Sequence, residues 1–411
     1  MSRLTRRDLL LRASAIGCSA AASPLLTPVA FASAPTENRL VVILLRGAMD
    51  GLDLVQPYGD PHFAAARPDF AIGPAAGAHD LDGFFSLHPG LGELMPLWQS
   101  GELGFAHAVS TPYRNQRSHF DGQDLLEAGT GADRLGGSYE DGWLNRLVQI
   151  MPGATRETAL AVGREEALIL RGAAPSVAWS PASQLGLSPA TSDLLGMLYH
   201  DDPLFREAFE GAEFYSDLLR GALSDGDMSE DDMMAAMADS ISASNSSVTA
   251  GSLAGFAAER LRADARIASF SLGGWDTHRG QVNRMGRALR HLSSAITHLR
   301  DGLGPDWDKT VVLAMTEFGR TVRQNGSAGT DHGTGSALLL AGGAIRGGRV
   351  MGDWPGLGPG DLFADRDLMP TRDVRAYAAW AMAGLFGTEA SALESRIFPS
   401  LELGADPGLL R

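Results

Sequence analysis

Residues 40–45 read Leu-Val-Val-Ile-Leu-Leu, with Arg39 before the run and Arg46-Gly47 after it. A run that is apolar at every position predicts a strand buried on both faces, which is typical of parallel sheets. Five similar runs follow, at residues 103–109, 159–162, 267–272, 311–315 and 337–340. Segments with helical spacing of apolar residues lie between them, so we expect a three-layer α/β/α fold with a largely parallel central sheet.

The predicted helices indicate one main domain with an insert. Apolar residues recur at helical spacing in residues 141–151, 193–199, 203–219, 229–262, 282–299 and 374–386. We expect residues 35–411 to form a single α/β domain, because large α/β enzymes often keep one core at this length. A helical insert is expected at about residues 181–262, part of which is acidic and then rich in serine and asparagine.

The composition excludes several classes of protein. The 411 residues carry a net charge of −15, and Lys309 is the only lysine among the 34 basic residues. A strongly acidic chain without a basic cluster is poorly suited to nucleic acid, since contact with phosphates needs grouped Lys and Arg. Cys18 is the single cysteine, which excludes a disulfide framework and a cysteine-based zinc site.

The first 34 residues have the pattern of an export signal. Arg6-Arg7 precede a short apolar stretch, and Ala32-Ser33-Ala34 supplies a cleavage site. The start resembles a twin-arginine signal, which implies the twin-arginine export machinery as a partner and a periplasmic or secreted mature protein. The apolar stretch is too short for a transmembrane span, so we expect none in the mature chain. Lipidation at Cys18 is an alternative, although the preceding residues lack the usual leucine.

Polar residues follow most of the predicted strands. In parallel α/β sheets, ligands bind beyond the carboxyl ends of the strands, so these residues are expected at one edge of the sheet. Carboxylates and imidazoles there suit a divalent metal ion. The candidates are Asp50, Ser118, Asp276, His278, Glu317 and His332, with Arg46, Arg117 and Arg320 as candidate clamps for anionic oxygens.

Each candidate also has an ordinary structural explanation. Asp276 and His278 lie two apart and share one side of an extended segment, but a loop histidine is often only hydrogen-bonded. A carboxylate near a sheet core, such as Glu317, must be paired or bound to metal. The simpler alternatives are a turn cap for Asp50, a helix cap for Ser118, an ion pair of Glu317 with Arg320, and a surface loop for His332.

Several stretches resemble a bacterial family known as the domain-of-unknown-function family number 1501. They are LLRGAMDGL at residues 44–52, RSHFDGQ at 117–123, FSLGGWDTH at 270–278, TEFGRT at 316–321, GTDHGTG at 329–335 and LAGGAIRGG at 340–348. That family is similar to the alkaline phosphatase and sulfatase superfamily, in which the site residues occur in a comparable order along the chain.

This resemblance implies roles for the candidates. Ser118 would be the nucleophile and a ligand of a second metal ion, and Asp276, His278 and His332 would hold the first divalent ion, zinc or manganese. Asp50 and Glu317 would hold the second ion, with Arg117 and Arg320 contacting the substrate. Phe318 follows Glu317 where the superfamily usually has histidine, which weakens the expectation of the second ion. His119 or Asp331 could substitute as a ligand.

The sequence therefore predicts an exported, metal-dependent hydrolase of phosphate or sulfate esters, acting on a small anionic substrate. The alternative is a non-catalytic envelope protein with the same fold, which works in binding or assembly. A third reading, a cofactor-dependent redox enzyme, is disfavoured because no G-x-G-x-x-G fingerprint follows the first strand.

Overall fold

The computed structural model describes residues 36–114, 117–134, 139–162, 167–179 and 247–411. The predicted signal at residues 1–34 lies outside these ranges, as do residues 181–246 of the predicted insert and the helices predicted at 193–199 and 203–219. Within the described ranges, no helix is long and apolar enough to cross a membrane.

A nine-stranded sheet forms the centre of the described chain, beside a small three-stranded antiparallel sheet. The central sheet has the order β11-β5-β10-β9-β1-β8-β6-β7, with β12 also paired to β5, and the small sheet has the order β2-β4-β3. The strands are β1 Arg39–Leu45, β2 Val55–Gln56, β3 His79–Asp80, β4 Ser86–Leu87, β5 Leu103–Ser110, β6 Ala159–Val162, β7 Val177–Trp179, β8 Ile267–Leu272, β9 Thr310–Met315, β10 Ser336–Ala341, β11 Val350–Met351 and β12 Arg372–Asp373.

Most pairs in the central sheet are parallel, which confirms the predicted fold class. Strand β1 lies parallel to β8 and β9, and β6 lies parallel to β8 and β7. Strand β10 differs, because it runs antiparallel to both neighbours, β5 and β9. The amino end of β10 therefore lies at the same edge as the carboxyl ends of β1, β5, β8 and β9.

Helices flank the sheet and connect its strands. The predicted helices at 141–151, 282–299 and 374–386 are present, with ends shifted by a few residues. The helices are α1 Gly51–Leu54, α2 Phe63–Ala66, α3 Met95–Gln99, α4 His119–Ala128, α5 Trp143–Ile150, α6 Ser247–Arg262, α7 Gln281–Leu303, α8 Val374–Phe386 and α9 Ala390–Ala392. Short 3-10 segments add Pro74–Ala76, Pro89–Leu94, Ala132–Arg134, Arg156–Thr158, Leu168–Leu170 and Gly304–Lys309, and Leu393–Ile397 is a π-helix turn.

Alternate residues of β1 show the three layers. Val41, Ile43 and Leu45 pack in one apolar core with α6 and α7. The residues between them, at 40, 42 and 44, pack in a second core with α5 and α8. Each such side chain contributes roughly 1.5–3 kcal/mol when fully buried. Helix α6, the last part of the predicted insert, thus packs against the sheet and α7.

Two backbone segments meet closely at the edge of the sheet where the carboxyl ends of β1, β5, β8 and β9 lie. The segment after β9 and the segment before β10 exchange hydrogen bonds, from Gly319 N to Thr334 O and from Gly333 N to Gly319 O. A Cβ on Gly319 would lie 1.8 Å from the carbonyl oxygen of Gly335. Only glycine therefore permits this approach, which brings the residues around Glu317 next to those around His332.

We expect Gly319→Ala to destabilise the protein by about 1–3 kcal/mol, since the new methyl group has to push the two segments apart. Gly326→Ala is the matched control, because a Cβ there meets nothing within 4 Å. The free energy of unfolding, measured with denaturant, tests the comparison. Equal stability of the two variants would show that the close approach is not required.

Candidate metal centre

Three histidines and one aspartate converge at the edge of the sheet. His119 is the first residue of α4, Asp276 and His278 follow β8, and His332 precedes β10. Ligand atoms of His119, Asp276 and His332 all lie within 4.8 Å of one another, and this is the one such acidic or imidazole group in the described ranges. His278 joins it, because its Nε2 lies 3.2 Å from Asp276 Oδ1 and 3.0 Å from His332 Nε2. The structure thus brings together the three predicted ligands Asp276, His278 and His332.

Each imidazole has its Nδ1 directed at an oxygen that can only accept a hydrogen bond. The pairs are His119 with Glu317 Oε1 at 2.8 Å, His278 with Asp331 Oδ1 at 3.2 Å, and His332 with the carbonyl oxygen of Arg117 at 3.0 Å. Each Nδ1 therefore carries the proton, so the neutral form of each ring presents its Nε2 lone pair to the cluster. Metal-binding histidines are commonly oriented by an acceptor on the other ring nitrogen.

One of the three Nε2 atoms has no hydrogen-bond partner, and the other two share a single carboxylate oxygen, Asp276 Oδ1, at 3.2 Å from His278 and 3.4 Å from His332. His119 Nε2 is buried without a hydrogen-bond partner, since its contact to Asp276 Oδ2 is 3.6 Å long. The Nε2 atoms of His278 and His332 face each other at 3.0 Å, and two lone pairs at that distance repel unless a proton or a cation lies between them. Three imidazole nitrogens and one carboxylate are ligands that zinc and related divalent ions prefer. The residues therefore fit a metal ion.

The charges of the cluster are strongly coupled. Burial alone would lower the pKa of His119, but the carboxylates of Asp276 and Glu317 outweigh it and raise that pKa to about 9. Burial likewise opposes ionisation of Asp276, yet contacts with His119, His332 and Arg320 hold its pKa well below the usual range. About half of the Asp276 side chain, 49%, is exposed, so the cluster opens to solvent.

Glu317 supports His119 instead of facing the cluster directly. It is buried, and its Oε1 accepts from the Gly47 amide at 2.9 Å and from the Gln123 amide group at 3.2 Å, besides contacting His119. Its Oε2 lies 2.8 Å from the Thr316 hydroxyl. Both oxygens are thus engaged, which gives Glu317 the position of an orienting carboxylate.

Asp50 is also committed to other partners. Arg67 binds it with two nitrogens at 2.7 and 3.0 Å, and Gln281 donates to it at 2.6 Å. Helix α1 begins directly after Asp50, so the carboxylate turns back to accept the amides of Leu52 and Asp53. The two residues predicted to hold a second ion, Asp50 and Glu317, are thus each engaged by other side chains and amides of the protein.

The three candidate arginines occupy different environments. Arg320 is fully buried and donates to the carbonyl oxygens of Ala48, Thr330, Gly47 and Trp275 and, at 2.5 Å, to Asp276. Arg46 donates to Gln123 at 2.7 Å and to Glu127 at 2.6 Å. Arg117 is exposed, and its side chain makes no hydrogen bond or ion pair in the part of the chain that the structure describes. Arg117 is therefore the candidate cation that is free to meet an anion.

Ser118 caps helix α4. Its Oγ accepts from the Asp121 amide at 3.3 Å, and its own amide donates to the Tyr113 hydroxyl at 2.9 Å. The side chain is half-buried and directly precedes His119. Ser118 thus lies beside the cluster along the chain, at the amino end of a ten-residue helix.

His119 is only weakly indicated by the sequence, and its pairing with Glu317 is not indicated at all. The sequence offers His119, like Asp331, only as a substitute ligand. The available signal for a metal ligand was a histidine in the first turn of a helix, at the sheet edge where the carboxyl ends of the strands lie. The pairing with Glu317 could not be read, since the two residues are 198 positions apart.

The fold and the centre place the chain among α/β proteins with a candidate metal site at the carboxyl edge of the sheet. Residues 90–395 match the family described as "Protein of unknown function (DUF1501)", and the chain belongs to this family. The family membership expected from the motifs is thereby confirmed. No curated protein sequence matches the chain.

Several solved structures are similar to this one at low sequence identity. The structure named Ps i-CgsB is 9% identical, over 88% of this chain and 73% of that chain, with a TM-score of 0.42. A protein in the alkaline phosphatase superfamily from Vibrio parahaemolyticus is 12% identical, over 75% of this chain and 62% of that chain, with a TM-score of 0.35. The C-terminal periplasmic domain of EcEptC from Escherichia coli is 11% identical, over 89% and 88%, with a TM-score of 0.38.

In the metal-free protein we expect His119 to titrate near pH 9, and Glu317→Gln to lower that pKa by roughly 1–3 units by removing the adjacent negative charge. Because the folded-state pKa exceeds the unfolded value of ~6.5, this contact stabilises the metal-free protein below about pH 6.5. The stabilisation is lost as the pH rises through 9. Imidazole NMR signals, assigned with His119→Gln, measure the pKa directly.

Asp308→Asn serves as the control, since Asp308 is exposed and lies outside the cluster. This substitution should leave the pKa of His119 at its wild-type value. A His119 pKa that stays the same in Glu317→Gln would contradict the assigned contact.

Proposed function

We propose that the protein is a metal-dependent hydrolase of small anionic esters, with one divalent ion, zinc or manganese, held by His119, Asp276, His278 and His332. The observation that supports it most is that the Nε2 atoms of His119, His278 and His332 lie 3.6, 3.2 and 3.4 Å from the Asp276 carboxylate. Each Nδ1 is already fixed by an acceptor. When bound, such an ion acts as a Lewis acid toward an ester oxygen and lowers the pKa of a hydroxyl.

Three residues around the ligands orient them. Glu317 and Asp331 fix the rings of His119 and His278, and the Arg320 guanidinium holds Asp276 in place. The ligand set is therefore ordered before an ion arrives, which limits the entropy lost on binding. The exposed side of Asp276 leaves room for a substrate to approach.

Ser118 is our proposed nucleophile. Attack by its Oγ on the phosphorus or sulfur atom of an ester would form a new oxygen bond there and break the bond to the leaving oxygen, which takes up the proton lost by the hydroxyl and departs as the alcohol. Water would then cleave the seryl ester, which restores the Ser118 hydroxyl and releases phosphate or sulfate. Its position at the amino end of α4 supports this role, because the free amides of a first helical turn stabilise an anion. The contact of Oγ with the Asp121 amide supports a helix cap as the competing role.

The metal assignment predicts losses that are specific to two ligands. We expect His278→Ala and His332→Ala to lower the metal content of purified protein, and to lower its thermal stability, because a bound ion stabilises only the folded state. His298→Ala is the control, since this exposed histidine on α7 contacts Ser294 and lies outside the cluster. Elemental analysis and thermal unfolding test the set. Wild-type metal content in both ligand variants would overturn the assignment.

The nucleophile assignment separates catalysis from stability. If Ser118 attacks the ester, Ser118→Ala should reduce kcat by orders of magnitude, with a larger effect on kcat than on KM. If Ser118 only caps α4, the substitution should cost ~1 kcal/mol of stability and leave kcat unchanged. Hydrolysis of aryl phosphates and aryl sulfates, recorded with unfolding curves, distinguishes the two. A wild type inactive on all these esters would favour the non-catalytic envelope role.

We further propose export by the twin-arginine route, with removal of the signal near Ala34. The support is the Arg6-Arg7 pair, the apolar stretch after it and the Ala32-Ser33-Ala34 site. Replacing both arginines with lysine should leave uncleaved precursor in the cytoplasm. Cell fractionation with immunodetection measures this, and mature protein reaching the envelope in undiminished amount would refute the proposal.

A further inference from the structure

A small cavity lies behind the candidate metal centre, on the backbone side of His332. Its volume is about 150 Å³, and it is lined by Arg117, Gly333, Thr334, Phe363, Ala364, Arg366 and Asp367. Pockets for drug-sized ligands measure ~300–1,000 Å³, so this cavity suits one small group only. It adjoins the cluster through His332, whose ring Nδ1 meets the Arg117 carbonyl and whose own carbonyl accepts from Arg366 at 3.0 Å.

The charges around the cavity do not cancel. Arg366 forms an ion pair with Asp367 at 3.1 Å, and Thr334 donates to the other oxygen of Asp367 at 2.9 Å. Asp367 is buried and fully engaged by these two contacts. The guanidinium of Arg117 makes no hydrogen bond or ion pair among the described residues, although it lies in the field of Asp367. Because Arg366 already pairs with Asp367, the two arginines and one carboxylate of the lining leave a net positive charge at the cavity.

The loop that carries Arg366 is held in an unusual backbone conformation. Ala364 and Asp365 have φ angles of 53° and 56°, in the left-handed region that ordinary residues rarely adopt. Phe363 and Asp367 close this loop with two backbone hydrogen bonds of 2.9 and 3.0 Å. Strained residues of this kind cluster at ligand clamps. The loop thereby holds Arg366 against the carbonyl oxygen of His332, and Asp367 against Arg366 and Thr334.

From the cavity and its charge we infer an oxyanion-binding subsite, in which Arg117 pairs with a carboxylate, sulfate or phosphate group. A guanidinium binds such groups through two parallel hydrogen bonds, and the small volume admits the anionic group without the rest of a large ligand. The binding itself is independent of catalysis. Only the view that this anion belongs to a substrate rests on the proposed hydrolase, whose scissile ester would lie on the other side of His332.

Isothermal titration of the full mature protein with sulfate, at constant ionic strength, tests the subsite. Separate titrations with acetate and with phosphate compare the other oxyanions. We expect saturable sulfate binding that Arg117→Met weakens at least tenfold. Arg117→Lys should weaken it less, because the charge remains while the two-pronged geometry is lost. Arg300→Met is the control, because Arg300 is exposed near the carboxyl end of α7. The substitution removes the same charge as Arg117→Met at a residue that does not line the cavity.

His278→Ala separates this inference from the proposed function, because it disturbs the metal ligands without touching the cavity lining. Sulfate affinity should persist in this variant. Comparison of the arms shows which oxyanion the cavity prefers. The inference is overturned if the wild type shows no saturable binding, if Arg117→Met binds as the wild type does, or if His278→Ala abolishes binding, which would place the anion at the metal centre.

Discussion

The buried guanidinium of Arg320 is the interaction on which the candidate site depends. An isolated charge in a protein interior is very costly, so a buried arginine has to be surrounded by acceptors. Here the acceptors are supplied by three different segments that reach the edge of the sheet after β1, after β8 and before β10, and by the Asp276 carboxylate. Arg320 thus fixes the loops and one candidate metal ligand, Asp276, at the same time.

The chain around Arg320 is built to allow this convergence. Ala48, whose carbonyl accepts from Arg320, has a φ of 58°, and a Cβ on Gly47 would lie 2.6 Å from the Asp276 amide. Glycine at 47 therefore lets the loop after β1 approach the loop after β8. Once the loops are in place, Glu317, Asp331 and a backbone carbonyl turn the three rings toward one point. The cluster therefore forms because the loops are held together by Arg320 and the three imidazole rings are held in orientation by their acceptors.

Much of the fold could be predicted from the sequence, because strand burial is a local pattern. The six continuous apolar runs became β1, β5, β6, β8, β9 and β10, and the polar residues beyond them do meet at one edge. Strand β10 shows what local patterns omit. Its antiparallel direction explains why His332, which precedes the strand, reaches the same edge as Asp276, which follows one.

The candidate metal ligands were harder to predict than the fold. The partner of a polar side chain depends on how distant loops pack together, which leaves no periodic pattern in the sequence. Asp50 follows a buried strand as a ligand would, yet Arg67 and Gln281 bind it and the start of α1 draws it into a cap. Glu317 has the chemistry of a ligand, but its oxygens are occupied by four nearby donors. A carboxylate's type and place in the chain therefore did not specify its partner.

The central claim is that one ion is held by three imidazoles and one carboxylate at His119, Asp276, His278 and His332. A crystal structure of the mature protein, with anomalous scattering recorded at the absorption edge of the metal found in it, tests this most directly. We predict a single anomalous peak bounded by the three Nε2 atoms and an oxygen of Asp276, at distances of about 2.0–2.2 Å for zinc. A peak between Asp50 and Glu317, or the absence of any peak at the three histidines in protein saturated with zinc and with manganese, would contradict the account.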